Sequence, residues 1–245
     1  MHNNVFRNLR IDACYTRTHL SDGAQLRQIF FDKKLDGANV TVPHKEYAYE
    51  QCDEVRGIAQ TIKAVNTLVN ENGRLIGYNT DAEGFMCAVE SLGEINNVLI
   101  LGAGGTARAL SIIFRNRGII PSLLNRSEGR LAYFREEGIE SFTWDQFTPR
   151  PYDLIVNTTS AGLSDQELPV PRPILSQLLS GAKAAVDVIY GKETPFLREV
   201  KIAGLPCKDG SDMLLEQGVL ANHLFLSGLY PTEQIRPFMH ESFRY

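Results

Sequence analysis

Apolar positions along this chain change period several times, from every second residue to every third or fourth. Residues 3–9 read as the end of a short helix. Residues 11–20, IDACYTRTHL, are predicted as a strand and its exit. In SDGAQLRQIFFDKKL, Ser21 or Asp22 is a candidate N-cap for a helix with apolar residues at helical spacing. In GANVTVPHK at residues 37–45, apolar Val40 and Val42 alternate with polar Asn39 and Thr41 until Pro43 stops the run. That predicts a strand over 37–42 and a short helix after the proline. AVNTLV and GRLIGYNT are β-rich and flank NENG, a hairpin signal. The first eighty residues therefore alternate strand and helix and then add a hairpin.

A second unit is expected to begin near Asp81. AEGFMCAVESLG reads as a helix ending at Gly93. NNVLILGAGGTARALSIIFRNRG is an apolar strand, a glycine turn and a helix. IIPSLLNRS is another strand, EGRLAYFREEG another helix, and YDLIVNTTSAG and AKAAVDVIYG are two more buried strands. Strand and helix in alternation predict a parallel sheet with helices on both faces. The tail, MLLEQGVLANHLFLSGLYP, is predicted as a long helix, and the part running to Tyr245 is expected to pack back on the first unit. The fold class is α/β with two domains, residues 1–80 plus 218–245 and residues 81–217.

Composition narrows the function classes. The chain has 245 residues, 43% hydrophobic and 22% charged, as in ordinary globular proteins. A net charge of -4 gives no basic excess for nucleic acid. No apolar run reaches the roughly 18 residues of a membrane helix, and MHNNVFRNLR has no apolar signal-peptide core. The four cysteines, Cys14, Cys52, Cys87 and Cys207, form no C-x-x-C pair. No metal site is therefore expected, and mostly buried, reduced thiols in a cytoplasmic protein are.

Val98–Leu101 is a continuous apolar run, as in a strand buried on both faces. GAGGTA then opens a helix. Gly102 and Gly104 permit a tight turn and a close backbone approach to a pyrophosphate, and the helix N-terminus offers free N–H groups to that anion. Ala107 is the third small position, where helix and strand pack closely. About twenty residues on, the next strand ends at Asn125-Arg126-Ser127. An NAD site usually has an acidic residue there for the ribose 2′-hydroxyl. Here Arg126 stands instead, with Ser127 beside it and Arg130 one helical turn later. Two guanidiniums suit a 2′-phosphate and so NADP, although both residues also read as plain surface charges.

Lys45 follows the proline turn at a strand end, where open α/β sheets build their sites. YNTD at 78–81 also ends a strand. A lysine and an aspartate that meet form a proton-transfer pair: the carboxylate holds the ammonium, and the lysine gives or takes a proton at a reacting oxygen. Taken singly, Lys45 and Asp81 each read more readily as a surface charge or a helix cap.

GANVTVPHK, AVNTLV, GYNTDAEGF, GAGGTARA, NRSEGR, NTTSAG, DVIY and DGSDMLLEQG occur in the order found in shikimate dehydrogenases, and on these motifs the chain resembles that family from about Met1 to its C-terminus. The resemblance implies a substrate domain and a Rossmann-type NADP-binding domain with a cleft between them. It implies reversible, NADPH-dependent reduction of 3-dehydroshikimate to shikimate on the route to aromatic amino acids. Lys45 matches the catalytic lysine and Asp81 its partner. Thr41, Asn66 and Gln217 match residues that bond substrate hydroxyls, and Tyr190 the tyrosine near the substrate carboxylate. Gly102, Ala103, Gly104, Gly105, Thr106 and Ala107 form the cofactor turn. Asn125, Arg126, Ser127 and Arg130 take the adenosine end. Asn157, Thr158, Ser160 and Met213 line the cofactor side. His44 is expected to be a turn residue without a chemical role. The expected partner is a small-molecule acid, with no nucleic acid and no membrane. Oligomeric state is not determined, and a homodimer stays open.

The family pattern normally opens with a strand and an HSxSP motif whose serines bond the substrate carboxylate. Met1-His2-Asn3 matches only the tail of that motif. The expectation is a truncated or late-started form of a longer enzyme, with neighbouring strands short of a ladder partner unless another segment substitutes. Other readings are a natural form that binds NADP(H) with weak or no dehydrogenase activity, a paralogue acting on quinate or on both acids with NADP or NAD, and a nucleotide-binding module without catalysis. Methylene-tetrahydrofolate dehydrogenase shares the two-domain plan but fits YNTD and NRS poorly.

Overall fold

The computed structural model describes residues 1–242. Its contacts form two units, Met1–Cys87 joined by the chain from Leu214 onward, and Ala88–Met213. The boundaries expected at 80/81 and 217/218 thus lie a few residues away, and Asp81 and Gln217 both belong to the first unit. Asp81 is tied there by its ion pair with Lys45, and the Gln217 helix by the packing of Leu215 and Val219 against Val5, Ile235 and Met239.

The first unit begins with α1 (His2–Asn8). Asp22 caps a short 3-10 turn by accepting from the Ala24 N–H at 2.9 Å, and α2 (Leu26–Asp32) follows. Then come β1 (Gly37–Asn39), α3 (Lys45–Gln51), β2 (Glu54–Val55), α4 (Ala59–Ile62), β3 (Thr67–Glu71), β4 (Arg74–Tyr78) and α5 (Thr80–Val89). The sheet order is β1-β3-β4-β2, antiparallel except for the parallel β2–β4 pair. Asn72 and Gly73 both take positive φ (54° and 82°), as a two-residue hairpin turn between right-twisted strands requires. Leu26, Phe30, Ala48, Leu68 and Leu75 form the core between these helices and the sheet.

Residues 11–20 are not a strand. Their extended backbone has no ladder partner among the described residues. Tyr15 is held instead by Asn3, which accepts from its N–H at 2.6 Å and donates to its carbonyl at 2.8 Å. The edge of β1 away from β3 likewise has no strand partner among the described residues. Between β1 and residues 18–20 lies a slot of about 310 Å³ lined by Leu20, Phe30 and Val40. The predicted strand over 37–42 is correspondingly short, although the Val40 N–H still reaches the Asn66 carbonyl at 2.8 Å.

In the second unit, β5 (Asn97–Leu101), α6 (Gly105–Asn116), β6 (Ile120–Asn125), α7 (Ala132–Glu136), β7 (Glu140–Thr143), β8 (Tyr152–Asn157), α8 (Arg172–Ser180), β9 (Ala182–Asp187), α9 (Pro195–Ile202) and β10 (Cys207–Lys208) alternate along the chain. The sheet is parallel throughout, in the order β10-β9-β8-β5-β6-β7. The chain winds outward from β5 through β6 and β7, then returns to the other side for β8. Strand ends at such a reversal splay their loops apart and open a crevice. Leu99, Ile100 and Leu101 are wholly buried, which explains the unbroken apolar run of β5.

The chain returns to the first unit through α10 (Ser211–Phe225) and α11 (Thr232–Glu241). Leu215 and Val219 of α10, Ile235 and Met239 of α11 and Val5 of α1 form a small core. Residues 243–245 of the predicted tail lie outside the described residues. All four thiols are free; Cys14 is exposed and the others are partly buried, so burial is less complete than the sequence suggested.

Candidate active site

Two helix starts in the first unit bring Lys45 and Asp81 together. Lys45 is the first residue of α3, set there by the turn after Pro43, and its carbonyl accepts from the Val65 N–H at 2.9 Å. Asp81 lies in the first turn of α5. Lys45 Nζ donates to Asp81 Oδ2 at 2.6 Å, with side chains 29% and 22% exposed. The pair is sheltered yet still open to a ligand.

A buried amide network fixes the start of α5. Asn66 Oδ1 accepts from the Thr80 N–H at 2.8 Å and from Thr67 Oγ1 at 3.0 Å, while its Nδ2 donates to Thr80 Oγ1 at 3.1 Å. Asn79 Nδ2 donates to the Ala64 carbonyl at 3.0 Å, and its Oδ1 accepts from the Ala82 N–H at 3.3 Å. Asn66 is 3% exposed, so most of its bonding capacity goes to scaffolding Asp81, with one amide hydrogen left over. Thr41 is exposed at the end of the β1 segment. His44 is tied into the turn, with Nε2 2.8 Å from the Leu20 carbonyl. Gln217 is partly buried on α10 and donates to the Leu214 carbonyl at 2.9 Å. A Cβ on Gly84 would stand 2.6 Å from the Gln217 backbone nitrogen, so α5 and α10 meet backbone to backbone there. Gly84 sets the height of Gln217, which no local pattern signalled.

In the second unit the end of β5 and the neighbouring strand ends enclose a pocket of about 290 Å³. Gly102 has φ +104°, and a Cβ on it would fall 2.9 Å from both Thr158 Oγ1 and Thr159 Cγ2. Only glycine satisfies both constraints. Gly104 and Gly105 face open space. No side chain caps α6, which leaves its first-turn N–H groups for an anion. Ala103 lines the pocket, Thr106 is partly buried and Ala107 is fully buried against the sheet. Arg126 and Arg130 line the far side, exposed and in no ion pair among the described residues. Asn125 steadies this corner by donating to the Ser127 carbonyl at 2.8 Å. Thr158 and Ser160 line the opposite wall, and Asn157 is buried beneath them. Trp144 also lines the pocket, as do Asp165 and Glu167. Asp165 is engaged by the Gly162 and Glu167 N–H groups at 2.7 and 3.0 Å, which hold its carboxyl below the usual range. Tyr190, 56% exposed, and Met213, partly buried, belong to this unit rather than to that of Lys45. An uncapped helix start, a glycine-only turn and two unengaged guanidiniums fit a dinucleotide that carries an extra phosphate. No cluster suited to a metal ion occurs among the described residues.

A doubly wound parallel sheet with an anion-ready turn at its reversal in the second unit, plus a lysine–carboxylate pair in the first, defines a nucleotide-dependent oxidoreductase of the two-domain α/β class. Comparison with known proteins is in keeping. Residues 1–68 match the family model described as the shikimate dehydrogenase substrate binding domain. The chain is 44% identical to the shikimate dehydrogenase (NADP(+)) of Helicobacter hepaticus, over 98% of this chain and 92% of that protein. It is 38% identical to that of Helicobacter pylori, over 99% and 92%. Among solved structures, the Thermus thermophilus shikimate 5-dehydrogenase in complex with NADP(H) and shikimate superposes with a TM-score of 0.83 at 33% identity, covering 98% of this chain and 92% of that one. The Aquifex aeolicus shikimate dehydrogenase gives 0.84 at 30% identity, over 99% and 91%. The chain belongs to the shikimate dehydrogenase family.

Proposed function

We propose that this protein catalyses the reversible, NADP-dependent reduction of 3-dehydroshikimate to shikimate. The observation that carries the reading is the 2.6 Å contact between Lys45 and Asp81 at two adjoining helix starts. When bound, the nucleotide supplies the hydride for reduction and accepts it in oxidation. The protein's own work is proton handling and orientation. Lys45 Nζ gives a proton to the substrate carbonyl oxygen as that oxygen becomes a hydroxyl, and takes it back in the reverse direction. Asp81 keeps the ammonium aimed, and the Asn66–Thr80 network keeps Asp81 in place. Thr41, Asn66 and Gln217 meet the substrate hydroxyls and Tyr190 its carboxylate. A ligand lacking one hydroxyl would strand a polar group, which is how such a site discriminates.

The turn from Gly102 to Ala107 takes the pyrophosphate. Asn125, Arg126, Ser127 and Arg130 take the adenosine 2′-phosphate, with Asn157, Thr158, Ser160 and Met213 on the nicotinamide side. Residues 1–87 with the α10–α11 tail form the substrate-binding unit, and residues 88–213 the nucleotide-binding unit. A cytoplasmic setting suits the four unpaired thiols. Steady-state kinetics with shikimate and quinate, each with NADP and NAD, test the reading. Shikimate with NADP is expected to give the highest kcat/KM. Absence of turnover with that pair, in a chain shown to be folded, would overturn it.

A further inference from the structure

At the end of β9 lies a carboxyl group that none of the roles above employs. Asp187 is fully buried. Its Oδ1 accepts from Asn157 Nδ2 and from the Ile189 N–H, both at 3.1 Å, and its Oδ2 accepts from Thr194 Oγ1 at 2.6 Å. The donors come from the end of β8, the loop after β9 and the cap residue of α9. Burial pushes this carboxyl's pKa up, and the three donors oppose that shift by bonding the ionised form.

The contact with Asn157 carries further than the other two. With its Nδ2 turned to Asp187, the amide must present Oδ1 on the opposite side. There it accepts from the Thr159 N–H at 3.0 Å and from Thr159 Oγ1 at 2.8 Å. A flipped amide would set donor against donor at Thr159, so Asp187 fixes the amide's orientation. Thr159 Oγ1 accepts in turn from the Ala161 N–H at 3.2 Å. The Thr159 methyl is one of the two groups within 2.9 Å of where a Gly102 Cβ would stand. A relay of hydrogen bonds therefore runs from Asp187 through Asn157 and Thr159 to the wall that faces the glycine turn.

We propose that Asp187 is a positioning residue for nucleotide binding, holding the 158–161 loop against the Gly102 turn through Asn157 and Thr159. This rests on the nucleotide reading of that pocket. Asp187 has no exposed surface and bonds only to Asn157, Ile189 and Thr194 among the described residues, so its removal is expected to act on affinity for NADP and not on the proton-transfer pair.

The test is calorimetric titration of the full chain with NADP⁺, beside steady-state kinetics. Asp187→Ala is expected to weaken NADP⁺ binding by about tenfold, with kcat at saturating nucleotide held to within about twofold. Asp187→Asn keeps an oxygen toward Asn157 and is expected to recover most of the affinity. Thr159→Val removes the hydroxyl half of the Asn157–Thr159 link and leaves the N–H half, so Asp187→Ala should cost measurably less in that background than in the wild-type chain. If Asp187→Ala does not fold, Thr194→Val, which frees one carboxylate oxygen, is expected to weaken binding while Thr194→Ser does not. Unchanged NADP⁺ affinity in Asp187→Ala, or in Thr194→Val when that is the variant that folds, overturns the proposal, as does strict additivity with Thr159→Val. A wild-type chain that binds shikimate but no NADP⁺ overturns the nucleotide reading itself, and the proposal with it.

Discussion

Replacing Lys45 with methionine separates what this side chain does for stability from what it does for chemistry. The Lys45–Asp81 pair is 29% and 22% exposed, so water still screens it, and methionine keeps the length of the aliphatic stem. A partly screened ion pair contributes on the order of 1 kcal/mol. For a chain of this size that is a fall in Tm of about 2–4 °C. A positioned general acid is worth roughly 10²–10⁴-fold in rate, which corresponds to about 3–5 kcal/mol of barrier. The catalytic loss should therefore exceed the stability loss by several kcal/mol. NADP-dependent shikimate oxidation followed through NADPH absorbance gives kcat, a thermal melt gives Tm, and NADP⁺ titration checks that the other unit is intact. A Lys45→Met protein with normal NADP⁺ affinity and kcat within about threefold of wild type would refute the proton-transfer role.

Arg126→Ala should lower kcat/KM with NADP by roughly 10–100-fold, the worth of one charge-assisted contact, while leaving the NAD reaction nearly unchanged; equal losses with both nucleotides would remove the 2′-phosphate assignment. Gly84→Ala forces a Cβ to within 2.6 Å of the Gln217 nitrogen. Overpacking of that kind costs about 1–3 kcal/mol, so both a lower Tm and a higher shikimate KM are expected, and an unchanged KM would detach Gln217 from the substrate. His2 is buried against Tyr15, with rings 4.3 Å apart, and burial lowers its pKa from 6.5 to about 4. The unfolded chain then binds the proton first as pH falls, so stability is full above about pH 6.5 and declines toward pH 4, by up to about 3 kcal/mol. Urea melts between pH 7 and pH 5 should show this slope, and His2→Gln should flatten it.

The second unit was the more legible in sequence. Its central strands are buried on both faces, so Val98–Leu101 and the runs in β8 and β9 announce themselves without reference to the rest of the fold. The glycine turn is equally local, because Gly102 and its neighbours are fixed by one strand end and one helix start. Less was legible where distant segments decide the outcome. Residues 11–20 have strand-like composition, but a strand requires a ladder partner, and none of the described residues provides one. The two-residue strands β2 and β10 exist only through their neighbours. Gly84 looks like an ordinary helix glycine until α10 lies against it. Asp187 stood inside a recognised motif, yet its work depends on Asn157, thirty residues away in sequence. Lys45 and Asp81 could be named as a pair from sequence, but only the folded first unit supplies the 2.6 Å contact between them.

Trp144 is the chain's single tryptophan, and it lines the pocket at the glycine turn, with its indole nitrogen buried and unpartnered among the described residues. Emission excited selectively in the indole band therefore originates at one known place. A ligand entering beside it would change the quantum yield or wavelength of the whole signal and not a fraction of it. The protein carries a native optical reporter of that chamber, one that needs no dye.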